Sequence, residues 1–306
     1  MGQRLHAARA FATGFLLLAS CGLTADDTPT AARGENVDPF SQPFKDAEAY
    51  PVIASSEIVV GRNRLLVGLL NDQDAPIGSP RIRMSIDFFD LERSTSEPVT
   101  SADMGFIWVD KPYRGLYKQT VSFPSAGRWG AEVTIEGDGI DETLKSSFEV
   151  RNEPSTPALG SRPPATDTPT SAGTGDLTKI STDENPDPRF YRTSIAGALR
   201  AGRPFVVAFA TPKFCASATC GPTLDVVKKV ARSFPEVTFI HVEPYRLPAD
   251  PANLEPVEAA LEWGLPSEPW VFVVDGRGRV SAKYEGVLAS GELRRELTRL
   301  TNPVVN

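Results

Sequence analysis

The chain has 306 residues, of which 41% are hydrophobic, and this is enough apolar material for two domains with their own cores. Its formal net charge is −7, and the sequence contains no basic stripe. A surface of this sign has no general attraction for a phosphate backbone, so we expect no nucleic-acid partner.

Residues 1–20 have the organisation of an export signal. Arg4 and Arg9 precede an apolar run over 10–19, which is shorter than the ~20 residues that cross a bilayer. The run ends in residues 18–21 (LASC), which resemble the lipobox of bacterial lipoproteins. The resemblance implies cleavage before Cys21, acylation of its sulfur, and a protein tethered to the membrane on the extracytoplasmic face of the cell envelope. An ordinary signal peptide with a chance cysteine is the alternative.

The next two segments are predicted to be a disordered tether and an all-β domain. Residues 21–49 are polar and lack periodicity, so they cannot bury much surface. Within 50–151, short segments alternate polar and apolar residues, as strands with one solvent-exposed face do. Turn residues separate these segments. This pattern predicts a β-sandwich, and residues 61–129 resemble the immunoglobulin-like modules of bacterial surface proteins. The predicted strands are 57–70, 81–88, 117–123, 129–135 and 143–150.

Residues 152–177 and 178–303 have different compositions. The first segment holds five Pro and three Gly among many Ser and Thr, which predicts a linker without a core. In the second, continuous apolar runs alternate with helical spacing, which predicts the order α-β-α-β-α-β-β-α. The predicted helices are 194–200, 223–234, 254–263 and 290–300, and the predicted strands are 205–209, 237–242, 270–274 and 280–284.

This order, with Cys215 and Cys220 between the first apolar strand and the next helix, resembles the thioredoxin-like superfamily. Residues 209–215 (FATPKFC) look like the family's central strand and its active-site cysteine. Residues 263–276 (WGLPSEPWVFVVDG) look like its second landmark, which implies that Pro269 is a cis-proline facing the cysteines. The expected fold class is therefore an all-β immunoglobulin-like sandwich followed by an α/β thioredoxin-like domain.

The sequence also departs from that family's pattern. Four residues separate the cysteines instead of two, so the match of Cys215 to the family's nucleophile is ambiguous. Ala208 stands where reductases of the family often have a buried acid, and Glu268 is an unusual neighbour for the proline. Physically, a dithiol exchanges with other thiols when one thiolate is stabilised and reachable. Lys213 and a helix starting near Gly221 place positive charge close to the cysteines.

We therefore expect thiol–disulfide exchange on the thiols or disulfides of exported proteins. Cys215 is the expected nucleophile, Cys220 resolves the mixed disulfide, and Pro269 shapes the docking groove. The alternatives are a structural disulfide in a non-enzymatic binding lipoprotein, and copper handling, since thiolates suit Cu(I). We assign no cofactor and no metal ligand, and we interpret His241, the one histidine beyond the signal, as a packed strand residue.

Overall fold

The structure is a computed structural model that describes residues 38–42, 44 and 47–302. The predicted signal peptide, most of the predicted tether and Cys21 lie outside these residues. The first sheet has seven strands in the order β1-β2-β5-β4-β3-β6-β7, and each neighbouring pair is antiparallel. The strands are β1 Ala49–Ile53, β2 Gly61–Asn71, β3 Arg83–Asp90, β4 Thr100–Asp110, β5 Arg114–Phe123, β6 Gly127–Gly137 and β7 Ile140–Val150.

The long strand β4 joins the two halves of this sheet. Its residues 100–104 pair with β3, and its residues 105–110 pair with β5. The seven strands therefore form one continuous sheet, which curves into a near-barrel. We call it the near-barrel sheet. The prediction of an all-β part is compatible with it, but the immunoglobulin-like assignment is wrong, because an immunoglobulin sandwich consists of two separate facing sheets.

Alternating side chains fill the interior of the near-barrel sheet. In β3, Met84, Ile86 and Phe88 are buried, and these are the apolar positions of the predicted strand. Trp129 of β6 is also completely buried, and its ring centre lies 5.0 Å from that of Phe123. A register slip of one residue would turn each of these rows toward solvent, so burial of the rows fixes the strand pairing.

The second sheet has four strands in the order β11-β10-β8-β9, in which β8 and β9 are parallel and the other pairs antiparallel. Both β8 and β10 are buried along their whole length, as continuous apolar runs predict. Among the described helices, none is long and apolar enough to cross a bilayer. The strands are β8 Phe205–Phe209, β9 Thr238–Val242, β10 Trp270–Val274 and β11 Val280–Glu285, and the helices are α1 Ser171–Thr174, α2 Ile195–Ala201, α3 Cys220–Ala231, α4 Glu258–Glu262 and α5 Ser290–Thr301.

The assignment of an α/β thioredoxin-like domain to 178–303 is wrong. Strands contain 36% of the described residues and helices 19%, so the described part of the chain is predominantly β, without a thioredoxin-like α/β signal. The order of predicted elements does not determine fold class, because it ignores how long each element is and what it packs against. The predicted helix over 254–263 illustrates this: only the five residues of α4 are helical, because Pro256 cannot occupy a helix interior.

The Pro-rich segment 152–177 makes specific contacts, although its composition predicted a linker. Gly160 donates its backbone N–H to the carbonyl of Val280 at 2.8 Å, and the N–H of Val280 donates to the carbonyl of Ser161 at 2.9 Å. Thr156 is buried. The segment therefore lies along the start of β11. Composition did not reveal these contacts because they use backbone groups, which every residue type provides.

A partly buried ion-pair cluster joins the near-barrel sheet to α5, the helix that follows the second sheet. Arg64 of β2 donates two hydrogen bonds to the carboxylate of Glu292 in α5, at 2.9 and 3.0 Å. The ammonium of Lys118 in β5 lies 3.3 Å from the same carboxylate. We call these three residues the inter-sheet clamp. An apolar cluster also joins the sheets and contains Leu66, Ile107 and Val287.

Candidate dithiol site

Cys215 and Cys220 form a disulfide, with Cα atoms 6.0 Å apart. This separation lies within the range of roughly 4.4–6.8 Å that disulfides require. Cys220 is the first residue of α3 and has no exposed surface, whereas Cys215 lies in the preceding loop and is partly exposed. They are the one cysteine pair at disulfide distance in the described part of the chain. The bridge thus joins a reachable cysteine to a shielded one.

The local sequence explains why a helix begins at Cys220. Pro222 occupies the first turn, where its missing N–H leaves no hydrogen bond unmade. Leu224 and Val227 are buried against the second sheet and hold the helix in place. The backbone N–H of Cys220 donates to Sγ of Cys215 at 3.3 Å. The positive end of the α3 dipole is therefore directed at the sulfur of Cys215.

Residues 215–219, which we call the disulfide loop, hold Cys215 in a tight turn. The N–H of Ala218 donates to the carbonyl of Cys215 at 3.1 Å, and Oγ of Ser217 lies 3.3 Å from Sγ of Cys215. Ala218 has φ of 52°, in the left-handed region that a residue with a Cβ enters only at a cost of ~1–2 kcal/mol. Contacts elsewhere must offset that cost.

One such contact comes from the near-barrel sheet. Arg114, the first residue of β5, donates from Nη1 to the carbonyl of Ser217 and from Nη2 to the carbonyl of Ala218, each at 3.3 Å. These carbonyls belong to the two peptide units that flank the Cα of Ala218. No local pattern indicated this contact, because Arg114 lies about a hundred residues before the cysteines.

Pro269 follows a cis peptide bond, which the family resemblance had implied. Its carbonyl accepts a hydrogen bond from the N–H of Gly286 at 2.8 Å. The carbonyl of Gly286 in turn accepts from Oγ1 of Thr223 at 3.0 Å. Thr223 lies in the first turn of α3, three residues after Cys220. Two hydrogen bonds therefore connect Pro269 to the helix that begins at the dithiol.

His241 is a core residue of the second sheet. It pairs in register with Ala208 of β8 and is 3% exposed. Its Nδ1 lies 2.7 Å from the hydroxyl of Tyr191, and its Nε2 lies 2.8 Å from the carbonyl of Ala210. Burial lowers the pKa of His241 to about 4, so the ring is neutral at pH 7. Across the described residues, no group of three or more His, Cys, Asp or Glu side chains is arranged to hold a metal ion.

A buried acid does lie near the cysteine segment, at a position that the sequence did not indicate. Glu243 directly follows β9, and its Oε2 accepts from both the N–H and the hydroxyl of Thr182, each at 2.8 Å. Burial raises the pKa of Glu243 above its usual value of 4.5. The hydroxyl of Thr182 accepts from the N–H of Lys213 at 3.3 Å, which links this acid to the segment before Cys215.

Two other residues singled out in the sequence have local partners. Lys213 is exposed, and its ammonium lies 5.6 Å from the ring centre of Phe214. Glu268 accepts from the hydroxyl of Tyr245 at 3.0 Å. Burial, together with the negative charge of Glu268, raises the pKa of Tyr245 to about 12, so Tyr245 remains a hydrogen-bond donor at neutral pH.

A cleft of about 1010 Å³ lies beside the disulfide. Phe214 and Gly221, the neighbours of the two cysteines, form part of its lining, and Leu224 of α3 forms another part. Further lining residues come from 178–185, except Ile180, and from 247–249. The cleft is therefore lined by chain neighbours of both cysteines, although neither cysteine is itself among the lining residues.

The comparisons with known proteins assign no family to this chain. No family model matches it, and no curated protein matches it. Solved structures with partial likeness include an engineered protein (14% identity, 34% of this chain, 20% of that chain, TM-score 0.23), a Parabacteroides merdae β-glucuronidase (17%, 38%, 15%, 0.24) and the Lin-41 filamin domain (9%, 35%, 95%, 0.21). The chain thus spans at most a fifth of the first two. At these TM-scores the likeness says nothing about function.

Proposed function

We propose that this protein is a membrane-tethered thiol–disulfide exchange protein that acts on exported proteins through Cys215 and Cys220. The observation that supports this most is the asymmetry of the bridge: Cys215 is partly exposed, and Cys220 is fully buried at the first residue of α3. Exchange needs one sulfur that substrates can reach and a second that attacks only from within.

The exchange proceeds in two steps. The Cys215 thiolate attacks one sulfur of a substrate disulfide, forms a mixed disulfide and expels the other substrate sulfur as a thiolate, which takes up a proton. The Cys220 thiolate then attacks Sγ of Cys215 and releases the second substrate thiolate. Two electrons pass from the protein to the substrate, and the protein becomes the disulfide. Run in reverse, the same steps oxidise a substrate dithiol.

The surroundings of Cys215 favour its thiolate. The N–H of Cys220 and the hydroxyl of Ser217 both lie 3.3 Å from its sulfur, and both are hydrogen-bond donors suited to a negative charge. The helix dipole of α3 adds partial positive charge at the same place. We assign substrate docking to the cleft beside Phe214 and to the neighbourhood of Pro269, which is hydrogen-bonded through Gly286 to the first turn of α3.

A non-enzymatic binding lipoprotein with a structural bridge is the second candidate. The observation that favours it is the complete burial of Cys220, because a bridge with one inaccessible sulfur is shielded from exchange. A redox titration of the full chain against glutathione separates the two, because an exchange protein equilibrates with glutathione and a structural bridge resists it.

The tether is the part of the proposal that depends on Cys21. If its sulfur is acylated, a labelled fatty acid is incorporated into the wild type, which fractionates with membranes. Cys21→Ser should remove the label and release the protein from the membrane fraction, while Cys215→Ser, the matched control, should keep both. Label retained in Cys21→Ser would show that the lipobox interpretation is wrong.

A further inference from the structure

We propose that the near-barrel sheet controls the reactivity of the dithiol through Arg114, a positioning residue for the disulfide loop. This inference rests on the proposed exchange function and assigns that function's control to a part of the chain far from the cysteines in sequence. Its basis is the fork of Arg114, which binds the carbonyls of Ser217 and Ala218 at 3.3 Å each.

The position of the fork determines what it does to the loop. The two carbonyls lie on either side of the Cα of Ala218, so both peptide planes that define its backbone angles are held at once. Ala218 is the residue with φ of 52°. Two hydrogen bonds from a charged donor stabilise that conformation, because charge-assisted hydrogen bonds are stronger than neutral ones.

The loop conformation in turn positions the sulfur of Cys215. The N–H of Ala218 binds the carbonyl of Cys215 at 3.1 Å, and Ser217 presents its hydroxyl to the sulfur. In the reduced protein, where no disulfide joins the two residues, departure of Ala218 from the left-handed region would open this turn and let Cys215 move away from the N–H of Cys220. The thiolate would then lose the donors that stabilise it.

The charge of Arg114 acts in the same direction. None of the ion pairs in the described part of the chain includes Arg114, so no carboxylate within 4.0 Å neutralises its guanidinium there. Other charged residues lie close in sequence to one of the two partners. Lys213 precedes Cys215 by two residues, and Asp110 and Lys111 lie on the hairpin before Arg114. A positive charge on the loop favours the reduced, thiolate form over the neutral disulfide.

The test compares Arg114→Met with wild type in the full chain, both with Cys21→Ser so that two thiols remain. We expect the equilibrium constant for reduction by glutathione to fall threefold to tenfold, where tenfold corresponds to about 30 mV. The rate at which iodoacetamide alkylates reduced Cys215 at pH 7 should fall by a similar factor. Arg114→Lys retains the charge but loses the paired hydrogen bonds, so its equilibrium constant and its alkylation rate should lie between those of wild type and Arg114→Met.

Arg83→Met is the matched control, because Arg83 lies on the near-barrel sheet and its side chain is 79% exposed. Arg83→Met should leave the equilibrium constant for reduction and the alkylation rate within twofold of their wild-type values. All variants should show the same unfolding transition by circular dichroism. Wild-type values in both Arg114 variants would overturn the inference. A wild-type bridge that never equilibrates with glutathione would instead overturn the proposed function, and the alkylation rates would still decide the role of Arg114.

Discussion

Replacing Cys220 with Ser is expected to leave Cys215 covalently joined to its partners. The first exchange step needs only the reachable sulfur of Cys215, whereas release of the substrate needs the buried sulfur of Cys220. We expect mixed disulfides in cell envelopes to increase at least tenfold over wild type. Non-reducing electrophoresis followed by mass spectrometry would identify exported proteins linked through Cys215.

The controls use both positions of the bridge. Cys220→Ala should trap the same partners as Cys220→Ser, and it leaves no unpaired hydroxyl at a site without exposed surface. Cys215→Ser should trap none, because the remaining sulfur is shielded. Equal adduct levels in Cys215→Ser and Cys220→Ser would be inconsistent with a defined nucleophile and would favour the structural bridge.

Arg64→Met is expected to destabilise the folded chain by about 3 kcal/mol, the lower end for breaking a buried ion pair. Its guanidinium binds the Glu292 carboxylate twice and also donates to the carbonyls of Glu285 at 3.1 Å and Val287 at 2.7 Å. The side chains of Arg64 and Glu292 are 14% and 10% exposed. Removal of Arg64 therefore leaves a nearly buried carboxylate with only Lys118 and the N–H of Ala289 as partners. Urea unfolding at pH 7 measures the loss.

The same variant makes a pH-dependent prediction. Burial acts to raise the pKa of Glu292, but the hydrogen bonds and charge of Arg64, with the charge of Lys118, outweigh it and hold the pKa below 4.5. Stability from this carboxylate is thus present above about pH 4.5 and is lost as pH falls through the lower, folded-state pKa. The free-energy gap between wild type and Arg64→Met should narrow on acidification below pH 4.5.

Arg83→Met is again the comparison, because Arg83 makes one exposed ion pair with Glu136. Exposed pairs contribute about 0–1 kcal/mol, so this variant should unfold close to wild type at every pH. If Arg64→Met cost no more than Arg83→Met at pH 7, the inter-sheet clamp would not hold the sheets together.

Local pattern predicted several individual elements of this protein. The alternation over 81–88 gave a strand with its apolar side inward, and the unbroken apolar run over 205–209 gave a fully buried one. Ser194 caps α2 by accepting from the N–H of Gly197, and Gly202 ends it in the left-handed conformation. Each of these signals acts within a few residues of the chain, which is why sequence periodicity reveals it.

Fold class could not be obtained in this way. The strand β4, which joins the halves of the near-barrel sheet, was not predicted, because its residues are buried in no simple alternation. Without β4 the other strands suggested two facing sheets. In the C-terminal part, the order of elements suggested an α/β family, although helices contribute little of the structure. Which strands pair depends on contacts between distant residues, and periodicity carries no record of these.

The candidate site likewise has features that local sequence reveals and features that depend on distant residues. Two cysteines separated by four residues before a helix start are visible in the sequence, and the structure joins them in a disulfide. The fork of Arg114 and the buried acid Glu243 were not visible, because both reach the cysteine segment from other strands. The pairing was therefore available from local spacing, while the residues that contact the cysteine segment from elsewhere in the chain required the tertiary structure.

The reduction potential of the Cys215–Cys220 couple tests the proposed function most directly. It is measured in the full chain with Cys21→Ser, equilibrated in glutathione buffers, with thiols trapped and counted by mass spectrometry. We expect a value between about −120 and −270 mV, the span of exchange proteins. A value below about −300 mV is characteristic of structural disulfides. It would contradict the account and leave the protein as a binding lipoprotein with a pinned loop.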